Sequence, residues 1–211
     1  MSTSSLRVEK VVTEGVFALD GGEWEVENNN YVIGNDDEVF IIDAAHQAEP
    51  IMDAVGDRTV LGVICTHAHN DHITVVPELL ASYGAPVYVH PEDQVLWDKT
   101  HPEVDHEDLS DGQVFEIDGA EIKVLHTPGH SPGCCCLYIP SIDVLISGDT
   151  LFNGGPGATG RSFSSFDTII ESIREKLLPL PGQTVVYTGH GDSTTIGDEA
   201  PHLDEWIARG H

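Results

Sequence analysis

The chain has 211 residues, with 36 Asp or Glu against 9 Lys or Arg, for a formal net charge of -27. Such a surface repels nucleic-acid backbones, which need Lys and Arg to release counterions, and it repels anionic membranes. No segment has the apolar length of a membrane span, and Met1-Ser2-Thr3-Ser4-Ser5-Leu6-Arg7 carries no apolar run of a signal peptide, so cytoplasmic residence is expected.

The length and the 40% apolar content suit one domain, 1–211, with an ordinary core. The acidity itself suits a solubility feature of a salt-tolerant or acid-rich proteome. Leu6 to Leu19 predicts one or two strands, and Gly21-Gly22 a turn. Tyr31-Val32-Ile33 and Val39 to Asp43 predict a hairpin turned at Gly34 to Asp37. Pro50 to Val55 predicts a helix ended by Gly56. Val60 to Cys65 predicts a buried strand, and Pro77 opens a helix, Glu78 to Tyr83, closed by Gly84. Val87 to His90 predicts a strand, and Pro91 a short helix to Trp97. Thr100 to Ser110 is acidic and predicts a surface loop.

The second half repeats the style. Strands are predicted at Val114 to Ile117, Glu121 to His126, Cys134 to Ile139, Val144 to Ile146 and Val185 to Tyr187. Helices are predicted at Phe166 to Leu178, with Ile169, Ile170, Ile173 and Leu177 on one face, and at Pro201 to Ala208. Two similar halves, about 1–110 and 111–211, predict two sheets packed face to face with helices outside. The four cysteines, Cys65 and Cys134-Cys135-Cys136, are expected as small buried thiols without disulfides.

Thr66-His67-Ala68-His69-Asn70-Asp71-His72 packs three imidazoles and a carboxylate, all first-row metal ligands, into one short stretch. In extended chain His67, His69 and Asp71 share a side, and His72 joins them only if the chain bends. The stretch follows the carboxyl end of a strand, where open α/β sheets hold ligands. Three later strands also end in ligand-type residues beside glycine: Gly129-His130, Gly148-Asp149 and Gly189-His190. Seven candidate ligands exceed one tetrahedral zinc and fit two ions sharing a bridging carboxylate and water. The other histidines, His46, His90, His101, His106, His126, His202 and His211, have no place in this pattern.

Together the His-x-His-x-Asp-His stretch, Thr127-Pro128-Gly129-His130, Gly148-Asp149-Thr150-Leu151-Phe152 and Gly189-His190 resemble the metallo-β-lactamase superfamily over nearly the whole chain. The resemblance implies an αβ/βα four-layer sandwich, an α/β fold with two mixed sheets inside and helices outside. It implies two divalent ions, zinc or else iron or manganese. His67, His69 and His130 would hold the first ion, Asp71, His72 and His190 the second, and Asp149 would bridge. Asp149 stands where the main zinc β-lactamases carry cysteine, and His69 where oxygen-reducing diiron members carry glutamate.

Gly148 to Phe152, with Gly160-Arg161 downstream, is most similar to the glyoxalase II (hydroxyacylglutathione hydrolase) branch. Only about twenty residues follow His190, so that branch's helical glutathione-gripping domain is not expected. The implied reaction is hydrolysis of a small acyl thioester or ester by metal-bound hydroxide, which Asp71 would orient as well as binding metal. No motif supplies a general acid, which favours a thiolate leaving group. Glutathione's carboxylates would find few cations here, so the expected thiol is neutral or weakly charged. Asp43 ends a strand and would orient a ligand histidine or cap a turn. Arg161 would hold a substrate oxygen or form a structural ion pair. The competing readings are a lactonase or esterase, a mononuclear iron persulfide dioxygenase and a non-catalytic metal-binding protein.

Overall fold

A computed structural model describes residues 6–210, so the leader reading of Met1 to Ser5 and the exclusion of His211 lie outside the described residues. β1 (Arg7–Leu19) and β2 (Gly22–Gly34) form one long hairpin in register from Arg7↔Gly34 to Leu19↔Gly22. Asp20 and Gly21 turn it, both at positive φ, as a tight two-residue turn demands. β3 (Glu38–Ile42), α1 (Ala48–Val55), β4 (Thr59–Ile64), α2 (Asn70–Ile73), α3 (Val76–Tyr83), β5 (Val87–Val89), α4 (Gln94–Thr100) and β6 (Glu107–Asp108) follow. The second half carries β7 (Val114–Ile117), β8 (Ala120–His126), β9 (Cys135–Ile139), β10 (Val144–Gly148), β11 (Leu151–Phe152), β12 (Gly155–Pro156) and α5 (Phe166–Ser172). It closes with β13 (Val185–Thr188), β14 (Thr194–Thr195), α6 (Ile196–Glu199) and α7 (Leu203–Arg209).

One sheet has the order β1-β2-β3-β4-β5-β6 and the other β14-β13-β10-β9-β8-β7. Helical crossovers make β3, β4 and β5 parallel, and β10 pairs parallel with β13. Strand alternation sorts the apolar side chains into three cores. Val32, Val39 and Ile41 point outward to Ile51, Leu79 and Trp97 of the first helical layer. Ile33, Phe40 and Ile42 point inward to Phe115, Val124, Leu137 and Ile146 of the other sheet. Leu145 and Val186 point out to Ile169, Ile170, Ile173, Leu177 and Trp206. The order is helices, sheet, sheet, helices: the four-layer αβ/βα sandwich. Because strands such as β3 are buried on both faces, they read as continuous apolar runs. Truncating Ile41 to Ala would cost roughly 2–5 kcal/mol.

The structure departs from the sequence expectations in several places, among them short elements at β11, β12, β14 and α6 that were not expected. β2 runs through the polar stretch Glu23 to Asn30, where no strand was expected. Within the expected loop, Glu107 and Asp108 pair parallel with Tyr88 and Val89 as an edge strand. The helix begun at Phe166 widens to a π turn over Ile173–Leu177. No helix among the described residues is long and apolar enough to cross a membrane.

All four cysteines are free and buried. Cys135 joins the core between the sheets and Cys136 the outer one, so neighbours in the run face opposite ways. Burial pushes the thiols of Cys65, Cys134 and Cys135 well up, and that of Cys136 to about 11. The thiolate is the reactive form. Ellman's reagent at pH 8 is therefore expected to modify none of them until denaturant is added; rapid reaction of any one thiol in the native protein would contradict this burial.

Candidate metal centre

β9 is antiparallel to both β8 and β10, and β13 is parallel to β10, so β8, β10 and β13 end on the same side. Those ends lead to His130, Asp149 and His190. β4 of the other sheet ends at Ile64 and leads to Thr66 and the histidine-rich stretch. Backbone bonds sew the sheets together there: Cys135 N–H donates to Thr66 O, and Asn29 N–H to Gly189 O, both at 2.8 Å. The bend that His72 requires is a helical turn. His69 caps it in extended backbone, and Asp71 and His72 lie in α2. Gly189 is obligatory beside this crowd, because a Cβ there would run into Asp149 Oδ1.

All seven side chains converge. His69 Nδ1 is 3.0 Å from both His67 Nε2 and His130 Nε2. His72 Nε2 is 3.3 Å from His190 Nε2 and 3.3 Å from Asp149 Oδ1. Asp149 Oδ2 is 3.4 Å from His130 Nε2 and 3.2 Å from His190 Nε2, and so reaches both groups. Asp71 Oδ2 is 3.6 Å from both His72 Nε2 and His190 Nε2.

Hydrogen bonds on the far side of the rings set the tautomers. His130 Nδ1 donates to Ala158 O and His190 Nδ1 to Glu27 O, each at 2.7 Å. Carbonyls only accept, so the proton lies on Nδ1 and the Nε2 lone pair faces inward. His72 Nδ1 meets Asp43 Oδ2 at 2.9 Å. Thr66 Oγ1 also donates to Asp43 Oδ2, which leaves Thr66 to accept from His67 Nδ1 at 3.2 Å. Asp71 Oδ1, Asp149 Oδ1 and His69 Nε2 are buried without a hydrogen-bond partner. Inward lone pairs some 3 Å apart, with orphaned carboxylate oxygens beside them, are a donor set that fits divalent cations.

The electrostatics agree. Burial would push the Asp149 carboxyl up, but His190 and His72 hold it well below the usual carboxylate range. Burial would pull His72 and His190 down, but Asp149 raises both, with Asp71 and Asp43 adding to His72. Burial holds His67 and His69 well below the usual imidazole range. In the metal-free protein His72 and His190 thus hold a proton more tightly than a free imidazole does, and His67 and His69 less tightly. On acidification of the metal-free protein, His72 and His190 should take up protons before His67 and His69, as followed by imidazole NMR shifts against pH; the reverse order would contradict this.

Asp43 touches His72 directly and also accepts from Thr66 N–H at 2.7 Å. It does so at φ 62°, a left-handed conformation that costs a non-glycine residue about 1–3 kcal/mol. Arg161 makes no ion pair within 4.0 Å among the described residues, so the structural ion pair is not formed. Its guanidinium instead lies 3.8 Å over the Trp24 ring. Both line a cavity of about 570 Å³ above the centre, with Phe17, Phe152, Glu25 and Glu27.

Sequence reasoning missed two supports. The first is Asn28-Asn29-Asn30, whose composition signals a turn. In β2 all three are buried: Asn28 Nδ2 donates to Asp71 Oδ2, Asn29 Nδ2 to Thr188 O, and Asn30 Oδ1 accepts from Ala45 N–H. The second is Asp93, which accepts from Ala68 N–H, Ser131 Oγ and Gly133 N–H and so ties the His67–His69 segment to the His130 loop.

Among the remaining histidines, His46 bonds Asn28 Oδ1 and His101 bonds Ile73 O. His90 and His126 lie near Glu92, but their rings stack 3.9 Å apart at 13°. Facing parallel rings do not aim their nitrogens at one ion.

Comparison with known proteins places the chain. "Probable metallo-hydrolase YqgX" of Bacillus subtilis is 33% identical, covering 85% of this chain and 93% of that one. "Hydroxyacylglutathione hydrolase GloC" of Haemophilus influenzae is 29% identical, covering 82% and 89%. Among solved structures, the BLEG-1 B3 metallo-beta-lactamase is 32% identical with a TM-score of 0.75, covering 90% and 98%. TTHA1623 in a di-iron-bound form is 30% identical with a TM-score of 0.75, covering 83% and 93%. The sequence profile of the Metallo-beta-lactamase superfamily matches residues 24–190, from the second strand of the hairpin to the last histidine of the centre, and the chain belongs to that superfamily.

Proposed function

We propose that the chain is a dinuclear metal-dependent hydrolase of a small acyl thioester. The observation that carries this reading is the convergence of seven ligand-type side chains, with Asp149 Oδ2 3.4 Å from His130 Nε2 and 3.2 Å from His190 Nε2. His67, His69 and His130 would hold one ion, Asp71, His72 and His190 the other, with Asp149 common to both. Zinc suits the imidazole-rich set, and the di-iron relative keeps iron as the alternative. Two such ions, when bound, supply a nucleophile at neutral pH and polarise the substrate carbonyl.

The protein's own groups do the positioning. Asn28 holds Asp71 through Oδ2, which leaves Oδ1 to take a hydrogen bond from the attacking water. Among the described residues Arg161 is the sole Lys or Arg lining the cavity, and it would hold a substrate oxygen. Among the described residues no Lys, Tyr or Cys lines the cavity, and outside the candidate ligands only the exposed Glu25 and Glu27 could carry a proton to a leaving group. A thiol, with an ordinary pKa of about 8.5, leaves as its anion without such help; an amide nitrogen does not. GloC, whose name assigns it hydroxyacylglutathione hydrolysis, supports the thioester. Glu25 and Glu27 beside a lone Arg161 favour a weakly charged thiol over glutathione with its carboxylates. Lactone or ester hydrolysis and mononuclear iron persulfide dioxygenation are the alternatives.

With one acyl group on matched leaving groups, the thioester should be cleaved at least about 100-fold faster than the amide. Similar rates would reveal a proton donor. His130→Ala and Asp149→Ala should abolish turnover and lower metal content below two ions per chain while the far-UV circular dichroism persists. Full activity in His130→Ala with full metal content would refute the dinuclear centre, and one iron with persulfide oxidation would establish the dioxygenase instead. For the thiol, kcat/KM for one acyl group on glutathione and on a neutral sugar thiol should favour the latter at two salt concentrations. A clear preference for glutathione at both would overturn that choice.

A further inference from the structure

The tip of the β1–β2 hairpin stands beside the centre and is held from two sides. On one side Asn70, inside the histidine-rich stretch, reaches the outer edge of β1, where no strand pairs. Its Nδ2 donates to Val16 O and its Oδ1 accepts from Ala18 N–H, each at 2.8 Å. One carboxamide thus offers the donor and the acceptor that a peptide unit of a neighbouring strand would offer. On the other side Ser162 N–H donates to Asp20 Oδ2 at 3.1 Å, and Arg161 covers Trp24. Between these anchors Phe17 and Trp24, cross-strand partners, stack 5.5 Å apart at 30°. The Phe17 ring meets the His69 ring edge-on at 5.3 Å. Both aromatic rings line the cavity above the centre, and Asn70 does not.

We propose that Asn70 is a positioning residue: it pins the hairpin so that Phe17 and Trp24 form a standing apolar wall beside His69, and a bulky apolar acyl group of the substrate lies against that wall. A projecting two-stranded ribbon is marginally stable alone, so its tip needs a partner at the open edge. Asn70 serves because it follows His69 directly, so the wall and the candidate ligands share one short segment. Aromatic rings held in place bind a flat or branched apolar group without a fresh ordering cost. A small acyl group such as acetyl does not reach the wall and gains little from it.

The substrate half of this proposal rests on the hydrolase reading; the clasp itself does not. The test uses the full chain loaded with zinc, comparing wild type with Asn70→Ala by amide hydrogen exchange and by kinetics on benzoyl and acetyl thioesters of one thiol. The expected result is about tenfold faster exchange at the Ala18 amide, in line with the loss of one hydrogen bond. Metal content and far-UV circular dichroism should be unchanged. The benzoyl-to-acetyl ratio of kcat/KM should fall about tenfold, through KM rather than kcat. Asn70→Asp keeps an acceptor for Ala18 and loses the donor to Val16, so it should fall between the two, and it serves if Asn70→Ala does not fold. Unchanged Ala18 protection, or an equal loss on both substrates through kcat, would overturn the proposal. If wild type cleaves neither thioester, the hydrolase reading fails, while the exchange result still decides the clasp.

Discussion

Acceptors facing one another in a buried place need a positive charge between them. At the open end of this sandwich five imidazoles and two carboxylates crowd together, and His67, His69, Asp71, His72 and Asp149 are all less than a tenth exposed. Four of the five rings spend their Nδ1 protons outward, on Thr66, Asp43, Ala158 O and Glu27 O. What remains inside is lone pairs and carboxylate oxygens largely withdrawn from solvent, an arrangement that costs free energy unless a cation shares it. The raised proton affinity of His72 and His190 and the lowered one of Asp149 express the same demand. A proton meets it in part; divalent cations suit this donor set better.

Holding such a cluster together before any cation arrives falls to the scaffold. The core between the sheets, with Ile33, Ile42, Leu137 and Ile146 at its heart, fixes the sheets face to face. It does not by itself bring the strand ends to one point. Polar joints between segments distant in sequence do that. Asn29 and Tyr31 of one sheet both bond Thr188 O of the other, just before His190. Asp93 holds the segment between His67 and His69 against the loop of His130. Asp43 fixes both Thr66 and His72. A buried carboxylate such as Asp93, with three donors on its two oxygens, is worth its desolvation only if all of those donors arrive together, which makes these joints cooperative with the fold.

This division explains what the sequence disclosed and what it hid. The strands are legible because alternation and β-branched runs follow from burial on one or both faces, as in Val39 to Ile42. The seven side chains of the centre are legible because imidazole and carboxylate rarely cluster at strand ends without a reason. The supports are hidden because their chemistry is ordinary. Asn28-Asn29-Asn30 has the local preferences of a turn, and only pairing with β1 across the hairpin places it in a strand. Asp93 looks like an acidic residue early in a helix until Ser131 and Gly133, some forty positions later, reach it. The direction of His72 needed the helical turn of α2, which a periodicity of two cannot show. The two-residue strand β6 is too short to carry any pattern.

The net charge of -27 invites the conclusion that anions are kept away, but distance decides otherwise. Charges on the far faces are screened within about 8 Å at physiological salt, so only side chains at the cavity govern what enters it. Most of the nine bases are engaged elsewhere. Arg7 pairs with Asp36, Arg58 with Glu9, Lys123 with Glu121 and Lys176 with Asp111, while Lys10 donates to Gly191 O and Lys99 lies over Phe163. Of the described Lys and Arg residues only Arg161 lines the cavity, with its guanidinium 3.8 Å over the Trp24 ring. A guanidinium stacked on an aromatic face has its in-plane N–H donors free for one planar acceptor, and its hold on Trp24 fixes where that acceptor sits. Under the proposed reading one oxygen-bearing group of the substrate would sit at Arg161, and selectivity would follow from that guanidinium rather than from the acidity of the surface.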